Sequence, residues 1–250
     1  SLQLKNIILG DLTKLFFTYP SLEGVANGKL EFDEILDHLK MKSNLTIDQF
    51  SFNNELLGLT KVQAGYDAIN GKVPFQLDVP NSDYHLRAEG SYNVKDSVNP
   101  LDANLYLTNS KFGLIQQFIG GILTNLDGRA DGKVHFGGRI EHPYLLGEAT
   151  IHKASLVVDY TKVKYFIDSA TIRFDNEGID FGSIQLKDKL SRTALFKGKI
   201  FNQGFKHLDY DMEISSNRIE LLNMERADNI YFYGKATGKA LMTIKGPEEN

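Results

Sequence analysis

GRADGKVHFGGRI, residues 128–140, places small or apolar residues at Gly128, Ala130, Gly132, Val134, Phe136, Gly138 and Ile140, and polar ones at Arg129, Asp131, Lys133, His135 and Arg139. A period of two is the signature of a strand with one dry and one wet face. The phrase recurs as GVANGKLEF from Gly24 and GKATGKALM from Gly234, so the three copies of G-x-A-x-G-K start 104 and 106 residues apart. Self-similarity at a fixed period signals stacked copies of one unit. The expected organisation is a junction from a preceding repeat over 1–23, a first repeat over 24–127, a second over 128–233, and the opening strand of a third with its tail over 234–250. Along the dry face each copy runs from Gly and Ala to bulkier residues. Glycine within a strand marks sharp bending or close backbone approach. The pattern therefore predicts a strongly curved sheet, with bulges in an ordinary β-sandwich as the alternative.

Composition narrows the function classes. With 28 basic and 32 acidic residues the net charge is −4, which offers no electrostatic footprint for nucleic acid or for an anionic membrane surface. Cysteine is absent, so disulfides, thiolate nucleophiles and Cys-based zinc sites are excluded and the chain is indifferent to redox compartment. No apolar run approaches the roughly 20 residues of a membrane span, and no signal peptide stands at Ser1. Opening in mid-pattern and closing on a newly begun repeat, the chain reads as a piece of a longer protein.

Residues 2–19 are mixed. Ile7, Ile8 and Leu9 can close a strand, while Leu12, Leu15, Phe16 and Tyr19 have helical spacing and predict a short helix ending at Pro20. Residues 33–38, DEILDH, could hold a metal, but a polar connector suits them better because no second ligand cluster is close in sequence. Short alternating runs follow: Leu45 and Ile47, Phe50 and Phe52, Val62 to Tyr66, Val73 to Val79, Tyr84 to Tyr92 and Leu101 to Leu107. Turn signals fall at Asn70-Gly71 and residues 80–83. One stretch breaks the period: over 111–126, Leu114, Ile115, Phe118, Ile119, Ile122, Leu123 and Leu126 form one helical stripe, predicting an amphipathic helix across the apolar face. The second repeat is cleaner, with Gly147, Ala149 and Ile151, then Leu156, Val158 and Tyr160, then Val163, Tyr165 and Ile167, then Ala170, Ile172 and Phe174 expected inward, and a turn near residues 175–178. Ile179, Phe181, Ala194, Phe196, Gly198, Ile200, Leu208, Tyr210, Met212 and Ile214 continue the inward set, opposite charged Lys162, Lys164, Arg173, Lys197, Lys199, Asp209, Asp211 and Glu213. Ile219, Leu221, Leu222 and Met224 read as a helix or bend before a third repeat beginning at Ile230.

The fold class is all-β with one or two short helices: about sixteen antiparallel strands. Such an apolar face must be covered in water, and the helices are too few to do it. Either a second sheet closes on it, or the sheet curls into a trough for an apolar ligand. Because the inner positions include almost no charged or amide side chains, a trough would suit acyl chains and not a polar substrate. Its candidate lining is Leu30, Phe32, Phe75, Leu77, Leu86 and Leu105 in the first repeat. The second contributes Val134, Phe136, Ile151, Val158, Ile172, Phe174, Phe196, Ile200, Tyr210 and Met212, and the third Met242.

Residues 110–246, the G-x-A-x-G-K opening at Gly128 among them, resemble the TamB C-terminal type of the AsmA-like proteins, in the form found in Bacteroidetes. The segments carrying the likeness are HPYLLGEA (142–149), YTKV (160–163), DFG (180–182) and FKGKI (196–200). The resemblance implies a taco-like β-groove repeat in a protein of the Gram-negative periplasm. It implies an anchor in the inner membrane outside this chain, and a BamA-like barrel partner of the TamA type at the outer membrane. Phospholipid transport between the membranes and a part in outer-membrane biogenesis follow from the same likeness, with no catalytic residue and no cofactor.

Two other readings stay open. One is a chaperone-like module that captures outer-membrane strands by edge pairing; the other is a non-conducting spacer. Catalysis has the weakest support: His38, His85, His135, His142, His152 and His207 are scattered, and the glycine phrases do not open a helix after a strand as a phosphate-binding loop would.

Overall fold

The computed structural model describes residues 1–14, 21–33, 39–81, 83–111, 123–139, 142–202 and 208–247. These form β1 (Leu2–Ile8), α1 (Leu9–Thr13), β2 (Leu22–Asp33), β3 (Lys40–Phe52), β4 (Glu55–Asp67), β5 (Lys72–Pro80), β6 (His85–Asn93) and β7 (Leu101–Lys111). There follow β8 (Leu123–Arg139), β9 (His142–Val158), β10 (Val163–Asp175), β11 (Gly178–Lys187), β12 (Thr193–Asn202), β13 (Leu208–Met224) and β14 (Gly234–Pro247). Each strand pairs with its neighbour in the chain, in the order β1 to β14, and the antiparallel sheet is not closed. Short links make this meander the natural connectivity. Two compact units result: Ser1–Ser110 with Lys133–Tyr144, and Lys111–Gly132 with Leu145–Asn250.

Local chemistry explains the turns. The Asp67 carboxylate accepts from the Ile69 amide at 3.0 Å, and Gly71 follows at φ 66°. Asn81 Oδ1 accepts from the amides of Asp83 and Tyr84 at 2.8 and 2.7 Å, and Asp175 Oδ1 from those of Glu177 and Gly178 at 2.7 and 2.9 Å. Side-chain oxygens thus satisfy amides that the ladder leaves over. The repeated phrase is repeated in conformation as well: Gly24, Gly128 and Gly234 adopt φ of 137°, 135° and 131°. At the second glycine the neighbouring backbone comes close, since a Cβ on Gly28 would lie 2.1 Å from the Asn44 carbonyl oxygen and one on Gly132 2.5 Å from that of Glu148.

In the first unit, directly opposed residues build rungs that share a face. Leu2, Leu30, Ser43, Ala64, Phe75, Gly90 and Ala103 form one rung across seven strands, and Leu4, Gly28, Leu45, Val62, Leu77, Ala88 and Leu105 the next. Between them on the other face run Lys29, Asn44, Gln63, Gln76, Glu89 and Asn104. The second unit repeats the division. Gly147, Phe174, Ile179, Ile200, Tyr210 and Gly246 form one inner rung. Beside it, on the outer face, Glu148, Arg173, Asp180, Lys199, Asp211 and Lys245 alternate in charge across six strands.

Several expectations are corrected. Among the described residues there are fourteen strands, where about sixteen were expected of the chain. The helix expected over 111–126 cannot include its last turn, because Leu123 already begins β8: the period-2 run into the repeated phrase extends backward and its pairing outweighs helical spacing. Residues 112–122 lie outside those described. Ile219, Leu221, Leu222 and Met224 are strand, not helix or bend; two register shifts in β13, between Ser216 and Ile219 and between Glu220 and Leu222, flip the phase and mimic another period. Tyr160 is not inward but 79% exposed, in the turn between β9 and β10. The third repeat strand begins at Gly234 and not at Ile230. At the N-terminus Ile7 and Ile8 close a strand and α1 follows; residues 15–20 lie outside the description, as do 34–38 of the acidic cluster.

Candidate functional site

In each unit the inner face becomes more buried from one end of its rungs to the other. In the first, the outermost rungs, Phe32–Met41–Tyr66 and Val73–Tyr92–Leu101, are half-buried or exposed. The rungs of Leu30 and Phe75, then Leu77 and Leu105, are half-buried, with Ala103 sealed among them. Beyond, Ala26, Ile47, Phe50, Leu57, Thr60, Val79, Tyr84 and Leu86 are buried. Val134 is buried and Phe136 half-buried in the same unit.

The second unit follows the same gradient except at Ile200, which is buried although it lies in the outer rung. Phe174, Ile172, Tyr210, Met212 and Phe196 are half-buried and Met242, on the last strand, is 48% exposed, whereas Ile151 and Ile200 are buried. Pairing brings Phe174, Ile200 and Tyr210 into one rung, Phe196 and Met242 into another, and sets Met212 against Gly198. Phe181 and Phe196 make an edge-to-face contact with ring centroids 5.7 Å apart. Val158 is half-buried at the far end, beside fully buried Val163. The alternation signalled further members that the candidate lining omitted, among them Met41, Leu45, Ile184, Ile214 and Ile244.

Sealing at the tight end uses buried polar groups. In the second unit β10 meets β13 although two strands separate them in the sheet: the Tyr165 hydroxyl donates to the Glu220 carbonyl at 2.7 Å and the Asn223 amide to the Thr161 carbonyl at 2.9 Å. Burial foremost, with the charges of Glu220 and Asp188, pushes the Tyr165 hydroxyl up to about 12. Asp188 has a fully buried side chain that accepts from the Glu220 amide at 3.0 Å, the Leu190 amide at 2.9 Å and the Arg192 guanidinium at 2.6 Å. Burial alone would raise its carboxyl; these donors outweigh it and hold the group below the usual carboxylate range. Glu220 pairs with Lys189 at 2.7 Å. The first unit has a buried tyrosine in the corresponding role, since the Tyr84 hydroxyl donates to Glu55, and burial first of all raises its pKa. Sequence reading missed this cluster; the only signal was the i, i+4 spacing of Asp188 and Arg192.

What such a surface can do is limited by its chemistry. Among the described residues no three His, Asp or Glu side chains gather as a metal site would require. His135 and His152 each face a single carboxylate, Asp102 at 3.9 Å and Asp131 at 3.4 Å. The inner rungs offer hydrocarbon and aromatic rings, with tyrosine hydroxyls at Tyr66, Tyr92 and Tyr210 on the outermost rungs. No family model, curated protein or solved structure matches the chain.

Proposed function

We propose that the half-open troughs receive phospholipid acyl chains, and that the chain is a segment of a TamB-like conduit between the inner and outer membranes. The observation that carries the reading is the gradient within each unit: same-face apolar rungs, sealed at one end, stay half-exposed at the other, where water contact is unfavourable and a hydrocarbon chain would relieve it. Tyrosines on the outermost rungs suit the level where acyl chain gives way to headgroup, since the ring packs on hydrocarbon while its hydroxyl stays wet. The outer face, with its charge ladder, remains in the aqueous periplasm.

Native mass spectrometry of the purified chain should find bound phospholipid. Phe75→Glu and Phe196→Glu, each placing a carboxylate on a half-buried rung, should remove it, while the outward Lys197→Glu should not. A chain that carries no lipid and takes up none from detergent-solubilised phospholipid would refute the reading. A second reading, capture of amphipathic strands, is favoured by the exposed apolar side chains of β14, Leu241, Met242 and Ile244. It requires pairing with β14 and should be indifferent to Phe75→Glu.

A further inference from the structure

The tight end of the second unit gathers three loop tips whose side chains point the wrong way for a soluble surface. Tyr160 lies between β9 and β10, Leu190 between β11 and β12, and Ile230, Tyr231, Phe232 and Tyr233 between β13 and β14. Leu190 is 66% exposed and Tyr231 92%, and the other four are exposed as well. Hydrogen bonds at their bases bring the loops together: Asn223, at the end of β13, bonds to Thr161, and Glu220 bonds to Asp188. The Asp228 charge is close enough to act on Lys162. A cluster of exposed apolar side chains on adjacent tips marks an interaction surface.

The chemistry of the tips selects the partner. Three of the six backbone amides are held within their own loops: those of Tyr231 and Phe232 bond to Asn229 Oδ1 at 2.9 and 3.1 Å, and that of Leu190 to Asp188 Oδ1 at 2.9 Å. None of the six lies in a strand, so no strand edge is offered there, and what the tips present is apolar side-chain area with tyrosine hydroxyls at its rim. Three of the six are tyrosines, the residue type that concentrates at membrane–water boundaries. Lys162, Lys189 and Arg192 are paired with Asp159, Glu220 and Asp188, and the exposed Arg226 shares its loop with Glu225 and Asp228, so the tips carry no net positive charge and attraction to anionic lipid is weak. We infer that this loop end inserts into the interfacial region of a phospholipid bilayer, driven by apolar area and indifferent to headgroup charge. The inference goes beyond the acyl-chain reading, because the tips lie past the sealed end of the trough, away from its half-open rungs.

The test uses the whole 250-residue chain and vesicles of phosphatidylcholine, with and without phosphatidylglycerol. Wild-type protein should sediment with both, and about 0.5 M NaCl should leave the bound fraction nearly unchanged. The triple variant Tyr231→Ser, Phe232→Ser, Tyr233→Ser should lose binding by roughly tenfold or more, while keeping its thermal melt and any co-purified lipid. As the sequence has no tryptophan, Tyr231→Trp supplies a single reporter, whose emission should shift to the blue on vesicles and be quenched by brominated acyl chains. Phe196→Glu should still bind vesicles, which separates this inference from the trough. Wild-type protein left in the supernatant would overturn the inference and leave a protein partner for the patch. Binding that needs phosphatidylglycerol and disappears in salt, undiminished binding by the triple variant, or an unshifted reporter would each overturn it too.

Discussion

Replacing the second glycine of the repeated phrase by alanine should be damaging in the second copy and harmless in the third. A Cβ on Gly132 would lie 2.5 Å from the Glu148 carbonyl oxygen, 2.7 Å from Ala149 Cα and 2.9 Å from Ala149 Cβ. Two of these are backbone atoms of a paired strand, so no rotamer change relieves the clash. Overpacking of this kind costs about 1–3 kcal/mol, and an immovable neighbour puts Gly132→Ala near about 3 kcal/mol. In a chain of this length that is a drop of roughly 6–12 °C in melting temperature. Gly28→Ala should cost at least as much, because its Cβ would meet the Asn44 carbonyl at 2.1 Å and φ is +155°. Gly238, by contrast, would meet only Leu221 Cδ1 at 3.6 Å, an ordinary contact, and its replacement should fall within about 0.5 kcal/mol of wild type. Urea midpoints followed by circular dichroism, with thermal melts alongside, measure all three. Equal shifts for Gly132→Ala and Gly238→Ala would refute the argument that the glycine exists to let the next strand's backbone approach.

Two further outcomes follow from charged groups. The Asp188 carboxyl is held below its usual range in the fold, so the stability it contributes is complete above the unfolded value near about 3.9 and disappears as pH falls through the lower folded value. Urea midpoints of wild type should therefore fall between about pH 5 and pH 2, while Asp188→Ala should start about 3 kcal/mol lower at neutral pH, with its Arg192 partner left uncompensated, and lose that part of the pH slope. On the outer face, Lys199→Glu would set like charges directly against Asp180 and Asp211; we expect a loss of roughly 1 kcal/mol in low salt, mostly recovered in high salt.

Much of the sheet is readable from spacing alone because side-chain period and face are locked together. Even the phase breaks are written there: Ile47 then Phe50 skips a beat, and Gln49 takes φ 52° at that position to absorb the extra residue. On β9 and β10 the inward set shifts together, from Ala154 to Ile151 and from Ile167 to Ala170, while the pairing stays in register, so a bend crosses both strands. Where two slips occur within seven residues, between Ser216 and Leu222, the same logic produces a false helical spacing. The Asp188 cluster was illegible for a different reason: Glu220 stands 32 residues from Asp188 and 55 from Tyr165, and only the fold brings them together, β13 meeting both β10 and the β11–β12 turn. Groove positions could be named because exposure follows the rung, but their grading from open to sealed depends on curvature, which no single strand records.

Charge does not by itself fix how β12 and β13 align. Lys197 and Lys199 face Glu213 and Asp211, and a slip by two residues would still set lysine against an acid while keeping every side chain on its face. Volume breaks the degeneracy. Met212 stands opposite Gly198, where an added Cβ would lie 3.0 Å from Met212 Cγ and 2.9 Å from the tip of the Phe196 ring, so the long side chain needs the empty position to lie in the trough. Gly198→Ala should then cost about 1–2 kcal/mol through overpacking, and Met212→Ala about 2 kcal/mol or less, since the side chain is only half-buried. The double variant should be more stable than the sum by at least about 0.5 kcal/mol, because removing the thioether makes room for the added methyl. Urea titrations of the four proteins close the cycle. Strict additivity would mean that the two residues do not compete for the same space, and the register of these strands would then need another origin.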